Sequence, residues 1–272
     1  MILTISIVLY NTPTAQVCSL LSSLMLIKIP YKLHVIDNSP ESSLSIFFQD
    51  TGAEYLHLPH NPGYGAAHNV AIERALRGGI SYHIVMNADV SFTTDVIAPM
   101  IEFMESRPEV GQMMPKVLNP DGSVQRLCKL VPSPFDLFAR RFLPFNLKKK
   151  FAERFELHEF NYDKRMFVPF LSGCFMLLRL EAIREVGSFD ERFFMYTEDI
   201  DLTRRVAEKY DTLFFPDCSV VHAHEGASRK SLKMFLIHAF SAIKYFNKWG
   251  WILDRRRNDL NNRTLSQLKK FE

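Results

Sequence analysis

Residues 2–9, Ile-Leu-Thr-Ile-Ser-Ile-Val-Leu, form an almost wholly apolar, β-branched run that Tyr10-Asn11-Thr12-Pro13 brings to a stop. A strand that is apolar on both faces has to be covered on both faces, as a parallel strand inside an α/β sheet is. The next segments agree with that placement. Ala15 to Leu26 puts Val17, Leu20, Leu21 and Leu24 on one helical face, and 32–36 is a second strand closed by Asp37-Asn38-Ser39-Pro40. Strand, helix, strand with polar residues at each carboxyl end predicts an open α/β sheet that binds its ligands at those ends.

The chain continues in the same style. A short strand over 54–58 leads into Asn61-Pro62-Gly63-Tyr64-Gly65, whose glycines let backbone approach a ligand and open a helix through Ile72 and Leu76. No Gly-Lys-Ser/Thr follows, so this is not a Walker loop. A third central strand, 82–86, ends in Asn87-Ala88-Asp89. Asp37-Asn38 reads either as a turn before proline or as a group accepting from the ring N–H of a uracil or thymine. Asn87-x-Asp89 reads either as a turn or as a hard oxygen site for Mg2+ or Mn2+. A helix from Thr94, a strand over 110–117 and an Asn119-Pro120-Asp121-Gly122 turn follow.

Residues 170–205 hold the densest chemistry. An apolar run from Cys174 to Leu178 follows Ser172-Gly173, and an amphipathic helix ends near Gly187, where a left-handed cap is expected. Phe189, Phe193, Phe194 and Tyr196 are then threaded by Asp190, Glu191, Glu198, Asp199 and Asp201. Core-grade aromatics beside so many carboxylates call for pairing or use of the charges. A helix N-terminus capped by Thr197 explains part of the pattern. After a strand at 211–215 come His222 and His224. Two histidines at i and i+2 beside glycine and serine suit ligation better than a lone one does.

Two segments differ from this body. Between 126 and 166, Phe135, Phe138, Phe142, Phe145, Phe151 and Phe155 alternate with Arg140, Arg141, Lys148, Lys149, Lys150 and Arg154. That is either an amphipathic surface element or a core-packing insertion with a solvated basic face. From Arg229 onward eleven Lys/Arg face three Asp/Glu, and Leu232 to Trp251 has a helical apolar side. A slightly acidic body with a basic tail suits an anionic partner, lipid headgroups or a phosphorylated acceptor before a nucleic acid. The 272 residues, 47% hydrophobic and 23% charged, suit a globular protein. No apolar stretch reaches the ~20 residues of a membrane span. Residues 2–9 read as a strand instead of a signal peptide, and four scattered cysteines fit reduced thiols in a cytoplasm.

In their order, Tyr10-Asn11, Asp37-Asn38, Asn61-x-Gly63, Asn87-x-Asp89, Ser172-Gly173, Gly187-x-Phe189-Asp190-Glu191, Thr197-Glu198-Asp199-x-Asp201-Leu202 and His222 resemble the family 2 nucleotide-sugar glycosyltransferases. The likeness spans roughly residues 3–228, and the bacterial rhamnosyltransferases of cell-surface polysaccharide and O-antigen synthesis are the nearest subgroup. It implies a GT-A fold, α/β and Rossmann-like, whose mostly parallel sheet is flanked by helices, with the amphipathic insertion and a C-terminal helical tail. Domain limits would be 1–228 (donor half about 1–118, acceptor half about 119–228) and a basic extension over 229–272.

The resemblance also implies roles. Asp199 would be the catalytic base with Glu198 beside it. Tyr10, Asn11, Asp37, Asn61, Gly63, Asn87, Asp89 and Gly173 would hold the donor, a dTDP- or UDP-sugar. Asp190, Glu191 and Asp201 would lie on the acceptor side. Asp89 and His222, or alternatively His224, would bind Mg2+ or Mn2+, with Asn87 standing where the family's motif has its first aspartate. A good leaving group neutralised by a cation leaves one carboxylate to deprotonate the acceptor, so direct displacement with inversion is expected. The acceptor would be a lipid-linked saccharide and the location cytoplasmic, peripheral at the inner face of the membrane. A homodimer is compatible with this, and nucleic acid is not a partner. A transferase of another hexose, a sugar nucleotidyltransferase and an inactive membrane-bound scaffold are the competing readings. Tyr10-Asn11-Thr12-Pro13 lacks the glycine-rich basic loop that a nucleotidyltransferase needs.

Overall fold

The computed structural model describes residues 2–138, 145–223 and 232–271. The strands are β1 (Leu3–Leu9), β2 (Tyr31–Asp37), β3 (Glu54–His57), β4 (Tyr82–Asn87), β5 (Val90–Ser91), β6 (Val110–Leu118), β7 (Met166–Phe167), β8 (Phe175–Arg179) and β9 (Asp211–His222). The helices are α1 (Thr14–Leu24), α2 (Tyr64–Arg77), α3 (Ile97–Glu105), α4 (Pro134–Leu137), α5 (Phe145–Phe155), α6 (Leu180–Val186), α7 (Glu198–Ala207), α8 (Leu232–Trp249) and α9 (Arg255–Leu268).

The strands lie in the order β3-β2-β1-β4-β8-β6-β9-β5, with β7 against β9. Pairing is parallel from β3 through β4 and again between β6 and β9, while β8 runs antiparallel between β4 and β6. Leu3, Ile5, Ile7 and Leu9 enter one core cluster, shared with Val17, Leu20 and Leu24 of α1. On the other face, against α2, Thr4 and Ser6 are buried and bonded. Ser6 meets His68 at 2.6 Å and His83 at 2.8 Å, and Thr4 meets His83 at 2.7 Å. Burial pulls His68 down to about 3 and His83 well below its ordinary value, so both rings sit neutral in the core.

Register builds the site. Leu9 pairs with Asp37 and Val8 with Asn87, so the tips of β1, β2 and β4 finish level at one edge. Gly63, at φ 103°, opens α2 there, and Phe194 presses on it: a Cβ at this position would meet the Phe194 carbonyl oxygen at 2.3 Å. Both the positive φ and that contact exclude a side chain. Gly63→Ala is expected to cost at least about 2 kcal/mol in urea unfolding, and a loss below half that would show the loop yields.

Three expectations change. The strand expected to end at Phe215 runs on as β9 to His222, because β6 follows it in parallel across a register shift at Pro115/Lys116. Thr197 makes no capping hydrogen bond; it stands in the left-handed region at φ 64°, which turns its side chain away from the first turn of α7. Gly187 has the positive φ expected of a cap, 85°, but an extended ψ of 157°.

The C-terminal extension shares the domain's core. Tyr245 and Phe246 of α8 and Leu260 and Leu268 of α9 belong to the cluster that contains β1. In the insertion, Phe155 is buried and Phe135 packs edge-on against Phe151 at 4.7 Å, so these three serve packing. Arg140, Arg141, Phe142 and Leu143 lie outside the described residues, as does the expected boundary at 228.

Candidate active site

The edge where β1, β2 and β4 end is met by α7 from the other half of the chain. Asp199, in the first turn of α7, accepts from the backbone N–H of Gly173 at 3.1 Å and of Ile200 at 2.9 Å. Gly173 is glycine because Asp199 crosses it: a Cβ there would lie 3.3 Å from the Asp199 Cβ. The Gly173 carbonyl is 2.7 Å from the Tyr64 hydroxyl, which is itself 2.9 Å from Asn87 Oδ1. The single Tyr64 hydroxyl proton is thus shared between the Gly173 and Asn87 oxygens, and this contact links Asn87 on the β4 tip to Asp199 on α7. The charges of Asp89 and Asp199 both help hold the Tyr64 hydroxyl protonated, after burial itself. The two carboxylates therefore share one environment.

Burial drives the electrostatics of α7. Glu198 is pushed well above the ordinary carboxyl range by burial and by the neighbouring Asp199 charge. Asp199 is also raised by burial, but the backbone donors at Gly173 and Ile200 oppose that shift. Glu198 Oε2 has no hydrogen-bond partner among the described residues, which suits a neutral carboxyl. Both shifts favour a proton shared within the pair, and the backbone donors at Gly173 and Ile200 make Asp199 the better place for the charge.

β5 pairs with β9 so that Val90 faces His222, and this brings Asp89 Oδ1 to 3.3 Å from His222 Nε2. Gln125 settles the tautomer. Its amide nitrogen donates to the His222 carbonyl at 2.6 Å, so its oxygen accepts from Nδ1–H at 2.9 Å. The Nε2 lone pair then faces Asp89 Oδ1 and the Asn87 amide nitrogen, the latter also at 3.3 Å. An imidazole held by Gln125 with its Nε2 turned to a carboxylate is a donor set that fits Mn2+ or Mg2+. Among the described residues no three His, Cys, Asp or Glu side chains gather to hold an ion. The protein offers this pair, and phosphate and water oxygens would complete the shell. His224 lies outside the described residues.

Not every expected donor residue is open. Asp37 is fully buried, with one oxygen taken by the Ser39 N–H at 2.9 Å and the other by the Tyr55 hydroxyl. Beside it Asn38 Oδ1 is buried without a hydrogen-bond partner, while its nitrogen reaches Asn61 Oδ1 at 3.2 Å. Asn11 and Asn61 take positive φ values, 47° and 45°. Asn11 N–H donates to Ser39 Oγ, and a cavity of about 290 Å³ opens along Asn11, Thr12, Ser39, Pro40, Glu41, Ser43 and Leu44. Tyr10, next in the chain to Asn11, is exposed.

The residues expected on the acceptor side have structural partners. Asp201 is fully buried, bonded to Arg205, Lys248 and Trp249 at 2.9, 2.7 and 2.8 Å. Asp190 binds Arg192 and Lys248, each of which pulls its carboxyl below the ordinary range. Glu191 accepts from Asn69 at 2.9 Å. Asp201 holds α8 against α7, Asp190 holds α8 against the loop after α6, and Glu191 holds that loop against α2.

A mostly parallel sheet whose carboxyl ends carry a buried carboxylate pair and an Asp–His pair has the architecture of a GT-A glycosyltransferase. Residues 5–187 match the family described as Glycosyl transferase family 2, and the chain belongs to that family. It is 30% identical over 221 residues to the N-acetylglucosaminyl-diphospho-decaprenol L-rhamnosyltransferase of Mycobacterium tuberculosis, covering 74% of this chain and 71% of the relative. It is 26% identical over 254 residues to Rhamnosyltransferase WbbL of Escherichia coli, covering 88% and 87%. In structure it is similar to TarS of S. aureus, with TM-score 0.62 at 15% identity, over all of this chain and 44% of that one. It is likewise similar to GalNAc-T7 with UDP, GalNAc and Mn2+, with TM-score 0.59 at 14% identity, over 82% of this chain and 43% of that one. The chain spans under half the length of these two structures, and the likeness to them is one of fold.

Proposed function

We propose that this glycosyltransferase transfers L-rhamnose from dTDP-rhamnose, with inversion, onto a lipid-linked saccharide of a cell-surface polysaccharide such as O-antigen. The observation that carries the mechanism is the path Asn87–Tyr64–Gly173–Asp199, which ties the end of β4 to the base. The relatives named as rhamnosyltransferases, one for a diphospho-decaprenol substrate, support the sugar and the acceptor class. Asn11, Asn38, Asn61 and the cavity beside Ser39 receive the nucleoside. Asp89 and His222, positioned by Gln125, hold the divalent cation, which neutralises the departing diphosphate. Asp199 accepts the proton of the incoming hydroxyl, and Glu198, already protonated, leaves the negative charge on its neighbour. No helix of the described residues is long and apolar enough to cross a membrane, which suits a peripheral enzyme at the cytoplasmic face.

A transfer assay across a panel of dTDP- and UDP-sugars with a diphospholipid-linked GlcNAc acceptor tests this reading. Turnover with dTDP-rhamnose is expected, and turnover confined to UDP-sugars would overturn the donor. Asp89→Ala should weaken nucleotide binding at least about tenfold with Mn2+ and little without it. Unchanged affinity in calorimetry with Mn2+ would remove the ion site.

A further inference from the structure

α8 has two dissimilar sides. One is locked to the machinery: Ser241 Oγ donates to the Met195 carbonyl at 2.7 Å, Lys244 to the Arg192 carbonyl at 2.6 Å, and the His238 ring packs edge-on against Tyr196 at 5.2 Å. These contacts fall on the loop that leads directly into Asp199. The other side is open. Leu232, Leu236, Phe240 and Ile243, spaced to fall on one stripe, are exposed by 74, 45, 61 and 38%. Phe235 adds to it, and Trp251, Ile252 and Leu253 are exposed just beyond the helix. These eight are more than half of the exposed large apolar side chains among the described residues, although α8 and its turn are a small part of the chain. Scattered exposed leucines carry no meaning, whereas a concentrated stripe marks a contact surface.

We infer that the open face of α8 docks onto an anionic lipid bilayer and so brings the cleft beside Asp199 to a membrane-borne acceptor. The inference deepens the proposed function by naming the surface, and it rests on that reading's lipid-linked acceptor. Charge selects the occupant. Lys233 flanks the stripe, Arg255 and Arg257 follow it beside Arg256, which pairs with Glu208, and the tail has a surplus of eight positive charges. Two copies of such a tail repel, while a leaflet of acidic headgroups attracts each. An amphipathic helix with basic flanks lies in the interface with its apolar side in the acyl boundary. At about 27 Å long, lying flat, α8 offers a docking edge that needs no spanning segment.

The full chain is sedimented with vesicles of phosphatidylcholine alone or mixed roughly three to one with phosphatidylglycerol. Nucleotide and acceptor are left out, so docking and transfer fail separately. Expected are at least about tenfold stronger partition onto the mixed vesicles, weakened by added salt, and an about tenfold loss in the double variant Leu236→Glu/Phe240→Glu. Both positions are solvent-exposed, and an unchanged melting temperature confirms that the variant is folded. Equal binding by wild type and double variant, or equal binding to both vesicle types, overturns the proposal. So does a wild-type dimer on sizing that the double variant dissociates, because the stripe would then be a self-association face.

Discussion

Replacing Asp199 with Asn is expected to lower glycosyl transfer by about 10³-fold while nucleotide affinity with Mn2+ stays within about twofold, since a positioned base contributes about 10²–10⁴-fold. Asparagine keeps the shape and can still accept from one of Gly173 and Ile200, and what the reaction loses is the ability to take a proton. Turnover near the wild-type rate would remove Asp199 from this role. The pH profile gives an independent reading. Burial raises the Asp199 carboxyl above its ordinary 3.8, and the base works only when ionised. Transfer should therefore rise with pH along an acid limb displaced upward from that value, then level off. Glu198→Gln should be mild, within about tenfold, because glutamine mimics the neutral carboxyl that burial and the Asp199 charge already enforce. A loss as deep as that of Asp199→Asn would mean that Glu198 also handles the proton.

The sheet and its carboxyl-end site could be read from the chain because their causes are local. β-Branched runs dictate buried strands, and polar residues can stand only where those strands end. Asp89, Asp199 and His222 stand in motifs that the sequence displays. What brings them together is register, Val8 with Asn87 and Val90 with His222, which one sequence does not display. Gln125 gave no signal, since it lies in an irregular stretch and acts only through a histidine 97 positions away. Tyr64 stood in a noted glycine-rich segment, yet its hydroxyl role depends on a carbonyl 109 positions away. The reading of Asp190 and Asp201 as acceptor-side groups has a similar cause. Carboxylates beside aromatics demand partners, and the partners, Lys248 and Trp249, came from a tail that composition set apart as an appendage.

That tail yields the largest expected effect on stability. Arg204, on the helix that bears Asp199, is 1% exposed and meets Asp254 through two hydrogen bonds of 2.7 and 2.8 Å. Trp249 covers its guanidinium at 3.9 Å and the Tyr245 hydroxyl lies 3.2 Å away. Burial opposes the Arg204 charge, and Asp254 with Tyr245 outweighs it. Asp254→Ala strands that charge in the core and removes the cap of α9, where Asp254 accepts from the Arg257 N–H at 2.9 Å. Breaking one side of a buried pair costs about 3–5 kcal/mol, seen as an equal loss in urea unfolding and a melting temperature lower by roughly 10 °C. Replacing both partners by apolar residues, Arg204→Met/Asp254→Leu, should recover much of that loss, because the stranded charge does the damage. A single-variant loss below about 1 kcal/mol, the range of an exposed pair, would mean that the tail is not clamped to α7. With the clamp in place, α7 with its carboxylate and α8 with its open face move as one body, and the position of Asp199 depends on residues fifty places beyond it.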